Sequence, residues 1–273
     1  MGYKLTFAYD NRGNLTDVTD QDNATTHYVY DDDSRMTSVT NPFDEATGYV
    51  YSPGGRVEKR LLGNDCVTYY GYDEAGQVSK VDNRGPGMSV ISSFEYERDP
   101  RGNPTRITRE DGSVVDYGYD AKSQLTSEVH KDPLGTTIYA WEWDYDASGN
   151  REYQVFNGVR TDYTYDLANQ LLSETTGNQT TRYRYDACGN LITQRNAEGL
   201  TRYRWDYNNR LTQLDQPGDV HSYFGYDADG KRVTKEDAEG FTRFIYQGPD
   251  MLALLQERDG AGELGVRRVC CHK

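Results

Sequence analysis

An aromatic-x-aromatic-Asp unit recurs along the chain at nearly constant spacing, and this periodicity limits the fold more than any other property of the sequence. It reads Phe7-Ala8-Tyr9-Asp10, Tyr28-Val29-Tyr30-Asp31, Tyr49-Val50-Tyr51, Tyr70-Gly71-Tyr72-Asp73, Tyr96-Glu97-Arg98-Asp99 and Tyr117-Gly118-Tyr119-Asp120. It continues as Trp143-Asp144-Tyr145-Asp146, Tyr163-Thr164-Tyr165-Asp166, Tyr183-Arg184-Tyr185-Asp186, Tyr203-Arg204-Trp205-Asp206, Phe224-Gly225-Tyr226-Asp227 and Phe244-Ile245-Tyr246. With the third residue of each unit as its marker, the twelve markers lie 21, 21, 21, 26, 21, 26, 20, 20, 20, 21 and 20 residues apart.

The internal grammar of a unit predicts a β-hairpin. Rings at i and i+2 share one face of an extended strand, whereas on a helix they diverge by about 200°. The expectation is therefore a row of stacked rings from Tyr9, Tyr30, Tyr51, Tyr72, Tyr119, Tyr145, Tyr165, Tyr185, Trp205, Tyr226 and Tyr246. A turn follows each pair, as in Asp10-Asn11-Arg12-Gly13, Asp73-Glu74-Ala75-Gly76, Asp99-Pro100-Arg101-Gly102, Asp146-Ala147-Ser148-Gly149, Asp186-Ala187-Cys188-Gly189 and Asp227-Ala228-Asp229-Gly230. The glycine, replaced by Asn169 and Asn209 in two units, suits a position needing φ > 0, and the Asp carboxylate suits acceptance from turn N–H groups. Return segments such as Leu15-Thr16-Asp17-Val18-Thr19 and Met36-Thr37-Ser38-Val39-Thr40 are again strand-like, and a second turn leads into the next aromatic pair. Helical periodicity is absent until the short Met251-Leu252-Ala253-Leu254-Leu255 run. Twelve hairpins predict an all-β spiral array, a curled open sheet forming part of a shell or barrel wall, because about 24 strands at ~4.8 Å each do not stay flat.

Composition agrees once the rings are counted. Leu, Ile, Val and Phe supply only 47 of 273 residues, a level that with a net charge of −14 ordinarily signals disorder. Disordered chains are poor in aromatics, yet this one has 24 Tyr, 7 Phe and 3 Trp, and 18 of the tyrosines belong to the repeat units. Tyrosine stands in for the missing aliphatic core. The acidic balance argues against a nucleic-acid partner. No run approaches the roughly 18 to 20 apolar residues of a membrane-spanning helix, so no membrane insertion is expected. The start, Met1 to Thr6, has no apolar signal core, and no signal peptide is read there.

The recurring Tyr-Asp-x-x-Gly-Asn-Leu-Thr, seen at Tyr9-Asp10-Asn11-Arg12-Gly13-Asn14-Leu15-Thr16 and, with Ile192 last, at Tyr185 to Ile192, resembles the YD-repeat or Rhs (rearrangement hotspot) proteins. The likeness runs from about Tyr3 to Arg258, and the Gly240 to Leu252 stretch resembles the last repeats of bacterial members. It implies a hairpin shell that encloses a C-terminal toxin in secreted or surface-delivered toxins, or, in animal teneurins, a barrel within an adhesion receptor. It also implies that such a piece partners with further repeats or an effector domain of a longer parent. Residues 1–258 form the array and 259–273 an irregular tail in this reading. The Pro-x4-Asp-Pro-x-Gly boundary of self-processing members is not found after Gly248. Its nearest imitation, Asp132-Pro133-Leu134-Gly135, has Ser127 in place of the first Pro and fits the turn of a lengthened repeat.

Nothing in the sequence marks an enzyme. Forty-four carboxylates give close Asp/Glu pairs by chance, and none stands out as a glycosidase pair. His27, His130 and His221 fall in different repeats without a nucleophile elbow or metal-ligand spacing. Calcium loops are not matched, since Asp227-Ala228-Asp229-Gly230 has Ala238 where the twelfth, acidic ligand belongs. Cys66 and Cys188 look like lone thiols, and Cys270-Cys271-His272 lacks a fourth ligand. No cofactor or metal is expected. Asn14, Asn23 and Asn178 head glycosylation sequons, the first of them explained by the turn. The second functional expectation is adhesion, with exposed tyrosine rows stacking on glycans or a cell-surface protein. Open strand edges with no polar cap predict self-association.

Overall fold

The computed structural model describes the backbone of residues 4–247, 250–257 and 264–267 and the side chains of residues 4–246. The array of antiparallel hairpins expected from the repeat is the observed fold: 25 strands and, among the described residues, no α-helix. Two compact units divide the chain, Met1–Glu142 and Trp143–Lys273. Within each, every strand pairs with its sequence neighbour, as Leu5–Tyr9 does with Leu15–Asp20 and Gln179–Tyr185 with Leu191–Asn196. Each repeat thus contacts little besides the repeats before and after it.

Alternation along the strands puts both rings of a unit on one face. In Gln179–Tyr185, Tyr183 and Tyr185 are half-buried while Arg182 and Arg184 are exposed. The buried aliphatics Val18, Val39 and Val115 lie on this ring face. So do the small residues four positions before a marker, among them Thr68, Thr161, Ser222 and Thr242. Most rings are only half-covered, so the ring face forms a thin core.

Just before the marker the hairpin register shifts: Ala8 faces Asp17 but Tyr9 faces Leu15, and the same shift recurs at Val29/Tyr30, Val50/Tyr51, Arg184/Tyr185 and Arg204/Trp205. One residue of the return strand, Thr16 in the first repeat, is left as a bulge. Bulges increase local twist and bend the strand that carries them, so each repeat bends in the same place.

Two differences from the sequence-based expectation concern the end of the chain. Met251–Leu255 is not helical but lies in the strand Asp250–Glu257, paired with Gly240–Gln247. A five-residue apolar run carries too little periodicity to separate the two, and partner pairing decides it. Within 259–273 the structure places the strand Leu264–Arg267. Asp132 to Thr136 forms an ordinary turn, closed by the Asp132 N–H donating to the Thr136 carbonyl at 2.9 Å with Gly135 at φ 85°.

Candidate functional site

The turn after most markers is built by the aspartate that follows, with Ser52 in that place after Tyr51. Asp10 accepts from the backbone N–H of Arg12 at 2.9 Å and of Asn14 at 2.8 Å, and its second oxygen accepts from the Asn14 side-chain amide at 2.9 Å. Asp99, Asp146 and Asp186 repeat this with Asn103, Asn150 and Asn190. Asp73 and Asp227 accept from the N–H groups of Gln77 and Lys231. The asparagine side chain is the largest influence holding the Asp10, Asp99, Asp146 and Asp186 carboxyls below the ordinary carboxylate range.

Four residues past every marker from Tyr9 to Tyr226 the backbone has positive φ: at Gly13, Gly76, Gly102, Gly149, Gly189, Gly230, Asn169 and Asn209, and also at Gly55, Ser34 and Ser123. The serines were not expected there. Their reason is the preceding repeat. The Asn14 amide donates to Ser34 Oγ at 3.2 Å, Asn103 to Ser123 Oγ at 3.1 Å, Asn150 to Asn169 Oδ1 at 2.8 Å and Asn190 to Asn209 Oδ1 at 2.9 Å. An asparagine amide has two N–H donors, so one serves its own turn and the other the next. Where the longer Arg35, Arg56, Gln77 or Gln170 occupies the asparagine's place, the next repeat has glycine. A Cβ at Gly76 would lie 2.5 Å from the Arg56 guanidinium, and one at Gly102 2.6 Å from the Gln77 amide. Adjacent repeats are therefore matched pairs: short amide with Ser or Asn, long side chain with Gly.

The markers form a second ladder. Five tyrosine markers donate to the carbonyl six residues past the preceding marker: Tyr51 to Met36 at 2.7 Å, Tyr72 to Val57 at 2.7 Å, Tyr119 to Pro104 at 2.9 Å, Tyr226 to Leu211 at 2.8 Å and Tyr246 to Arg232 at 2.9 Å. Trp205 does so through its indole N–H, to Leu191 at 2.8 Å. Arg98, the one marker that is not aromatic, keeps the link by donating to the Val78 carbonyl at 2.9 Å. Tyr9 has no preceding repeat within the chain and is 62% exposed. Burial is the first cause raising the hydroxyl pKa of Tyr51, Tyr119, Tyr165 and Tyr185.

The faces of the rings are met by cations. The Arg35 guanidinium lies 5.1 Å from the Tyr51 ring centre, Arg56 5.4 Å from Tyr72, Arg210 5.1 Å from Tyr226 and the Lys231 ammonium 5.5 Å from Tyr246. Each cation sits five residues past the preceding marker, a distance at which cation–π attraction operates. Between these successive rings the structure shows a cation and a hydroxyl-to-carbonyl bond.

Among the described residues the candidate chemical groups do not converge. His27 pairs with Asp17, His221 with Asp215 at 2.8 Å, and His130 packs edge-on against Tyr139 with centres 5.1 Å apart. Cys66 and Cys188 are free thiols; Cys270, Cys271 and His272 lie outside the described residues. No group of three or more His, Cys, Asp or Glu that could hold a metal occurs among the described residues. A groove of about 390 Å³ runs between the first two repeats, over Asp10, Arg12, Tyr28, Tyr30 and Asp32, and is open to solvent. Among the described residues no helix is long and apolar enough to cross a membrane.

A model of the family described as Teneurin YD-shell matches residues 2–140 and 103–255. Among solved structures, the Photorhabdus luminescens Tc holotoxin pore, in a TccC3 variant, is similar over 95% of this chain and 14% of its own, with a TM-score of 0.76 at 19% identity. The TcdB2–TccC3 complex without its hypervariable C-terminal region is similar over 97% of this chain and 16% of its own, with a TM-score of 0.60 at 16% identity. At such identities the likeness concerns the fold, and the chain spans about a seventh of these proteins' length. No curated protein matches.

Proposed function

Because the chain belongs to the teneurin YD-shell family, we propose that it serves as a length of shell wall in a longer secreted or cell-surface protein, a structural and non-enzymatic module around a C-terminal effector or toxin domain. The carrying observation is the marker ladder. Seven described markers, Arg98 among them, pass a donor to the carbonyl of the repeat before. The invested chemistry thus joins one repeat to the next, as a wall requires, and among the described residues the histidines and thiols are scattered over different repeats. The Tc structures it resembles are parts of toxin complexes, which supports an enclosing role. Adhesion through exposed tyrosine rows is weakly supported, because carbonyls and cations within the array occupy the marker hydroxyls and ring faces.

The test is the parent protein. The coding DNA on both sides is expected to carry further Tyr-Asp repeats and, downstream, a domain without them. In the purified parent that downstream domain should resist protease until the repeats are unfolded by urea. A downstream domain digested as fast with the folded repeats present as without them would end the enclosure reading. Substrate turnover by the repeats themselves, lost on changing one Asp/Glu pair, would end the non-enzymatic one.

A further inference from the structure

The face opposite the rings carries an exception to the protein's acidity. The three successive strands Gln179–Tyr185, Leu191–Asn196 and Gly199–Trp205 contain five arginines and no Asp or Glu, in a chain with 30 basic and 44 acidic residues. Arg182 and Arg184, Arg195, and Arg202 and Arg204 are all exposed and, by strand alternation, share one face. Arg182 stands directly opposite Arg195, while Thr193 stands opposite both Arg184 and Arg202. Arg204 pairs with Asp215 at 3.3 Å, and Arg202 stands directly opposite that same Asp215 without forming an ion pair. The other four make no hydrogen bond, ion pair or ring contact, whereas elsewhere on the surface Arg12, Arg35, Arg106 and Arg160 are ion-paired.

Like charges directly opposite in an antiparallel pair destabilise it. Arg182 and Arg195 are therefore kept opposite each other against a stability cost, with the backbones of Arg184 and Arg202 within about 7 Å along the strands and about 10 Å across them. Guanidinium forks bind oxyanions in bidentate fashion, and an array of them suits a ligand bearing several anionic groups in succession. We propose that this arginine face binds an anionic polysaccharide through its sulfate or carboxylate groups, with the Thr193 hydroxyl available to sugar hydroxyls.

Other polyanions fit less well. A single-stranded nucleic acid would need stacking rings among the cations, and Tyr183, Tyr185, Tyr203 and Trp205 are on the other face. An acidic peptide would gain most by adding a strand, but all three strands are already paired on both sides. No large apolar side chain of the three strands is exposed beside the arginines to enter a lipid surface.

Heparin binding by the full chain, titrated from 50 to 300 mM salt, tests the proposal. In R182S/R184S/R195S/R202S, affinity at 50 mM salt should fall at least about tenfold, and the slope of log K against log salt by about three to four, near one per lost cation. Thermal stability should be unchanged or higher. On the wild-type chain, heparin should shield Arg182, Arg184, Arg195 and Arg202 from phenylglyoxal while leaving Arg101 reactive, which needs no variant to fold. Desulfated heparin identifies the recognised group: retained binding assigns the carboxylate and lost binding the sulfate. Unchanged affinity in the variant, no shielding, or equal binding of duplex DNA or polyglutamate at matched charge would overturn the assignment.

Discussion

The two units share one hairpin plan but treat the first ring of each repeat differently. In Met1–Glu142 the residue across from that ring on the return strand is most often aliphatic: Val18 across from Phe7, Val39 from Tyr28, Val81 from Tyr70 and Ile107 from Tyr96. In Trp143–Lys273 it is more often polar, with Glu174 across from Tyr163, Gln194 from Tyr183 and Lys235 from Phe224, while Leu214 faces Tyr203 and Leu254 faces Phe244. There the next repeat's ring donates to the polar residue, Tyr183 to Glu174 at 2.8 Å and Tyr203 to Gln194 at 2.9 Å. Glu128, late in the first unit, behaves like the second, accepting from Tyr139 at 2.8 Å. The same backbone plan thus accommodates apolar burial or a hydrogen-bonded acceptor, and the units should fail under different conditions.

The largest expected contrast is in cavity cost. Val39 is 2% exposed, so Val39→Ala should destabilise the first unit by about 2 kcal/mol, whereas Gln194→Ala in the second should cost about 1 kcal/mol. Urea unfolding followed by hydrogen exchange in each unit measures both. Equal costs would dissolve the contrast.

A smaller effect is alkaline sensitivity. Burial first, and then the Glu174 carboxylate, raise the Tyr183 hydroxyl well above the ordinary 10.0. A raised folded pKa means this group's contribution is complete below pH 10.0 and is lost as pH climbs through the higher folded value. Glu174→Gln keeps an acceptor but removes the charge, so absorbance titration should show one tyrosine ionising at lower pH. No change in the titration would show that the contact is not made.

The pairing of neighbouring turns gives a third test, of about 1 kcal/mol. Gly76→Ser puts a side chain at φ 82° against Arg56 and should destabilise; Arg56→Asn should recover part of the loss by supplying the amide that Ser34 and Ser123 receive. Additive effects in the double variant would contradict the matched-pair rule. The smallest effect is common to both units. Asp10, Asp99, Asp146 and Asp186 are lowered from 3.8, so the stability they add is present above that value and fades as pH falls through the lower folded ones. Asp186→Asn should flatten this acid limb in the second unit.

Much of the plan was legible because the hairpin needs particular residues at fixed offsets: rings at i and i+2, Asp next, then Gly or Asn where φ is positive. What escaped depends on the neighbouring repeat. Ser34 is unremarkable in its own unit and makes sense only against Asn14 twenty residues earlier. Arg98 breaks the aromatic pattern yet conserves the donor, which only the Val78 carbonyl reveals. Stacked rings were the expected cement, but Arg35 and Arg56 were in view as well; five positions past a marker, the bulged return strand directs them over the next ring. The arginine face escaped because strand register, invisible in a linear sequence, places Arg195 opposite Arg182.

Joining of successive repeats through the marker donor is tested most directly by hydrogen exchange on Tyr72→Phe. That change removes one hydroxyl and leaves the Val57 carbonyl without its donor. Loss of a bond worth about 1 kcal/mol predicts roughly fivefold faster amide exchange in Val57–Leu62 and Val67–Tyr72, with strands of the second unit unaffected. Exchange in those two strands indistinguishable from the wild type would contradict the account.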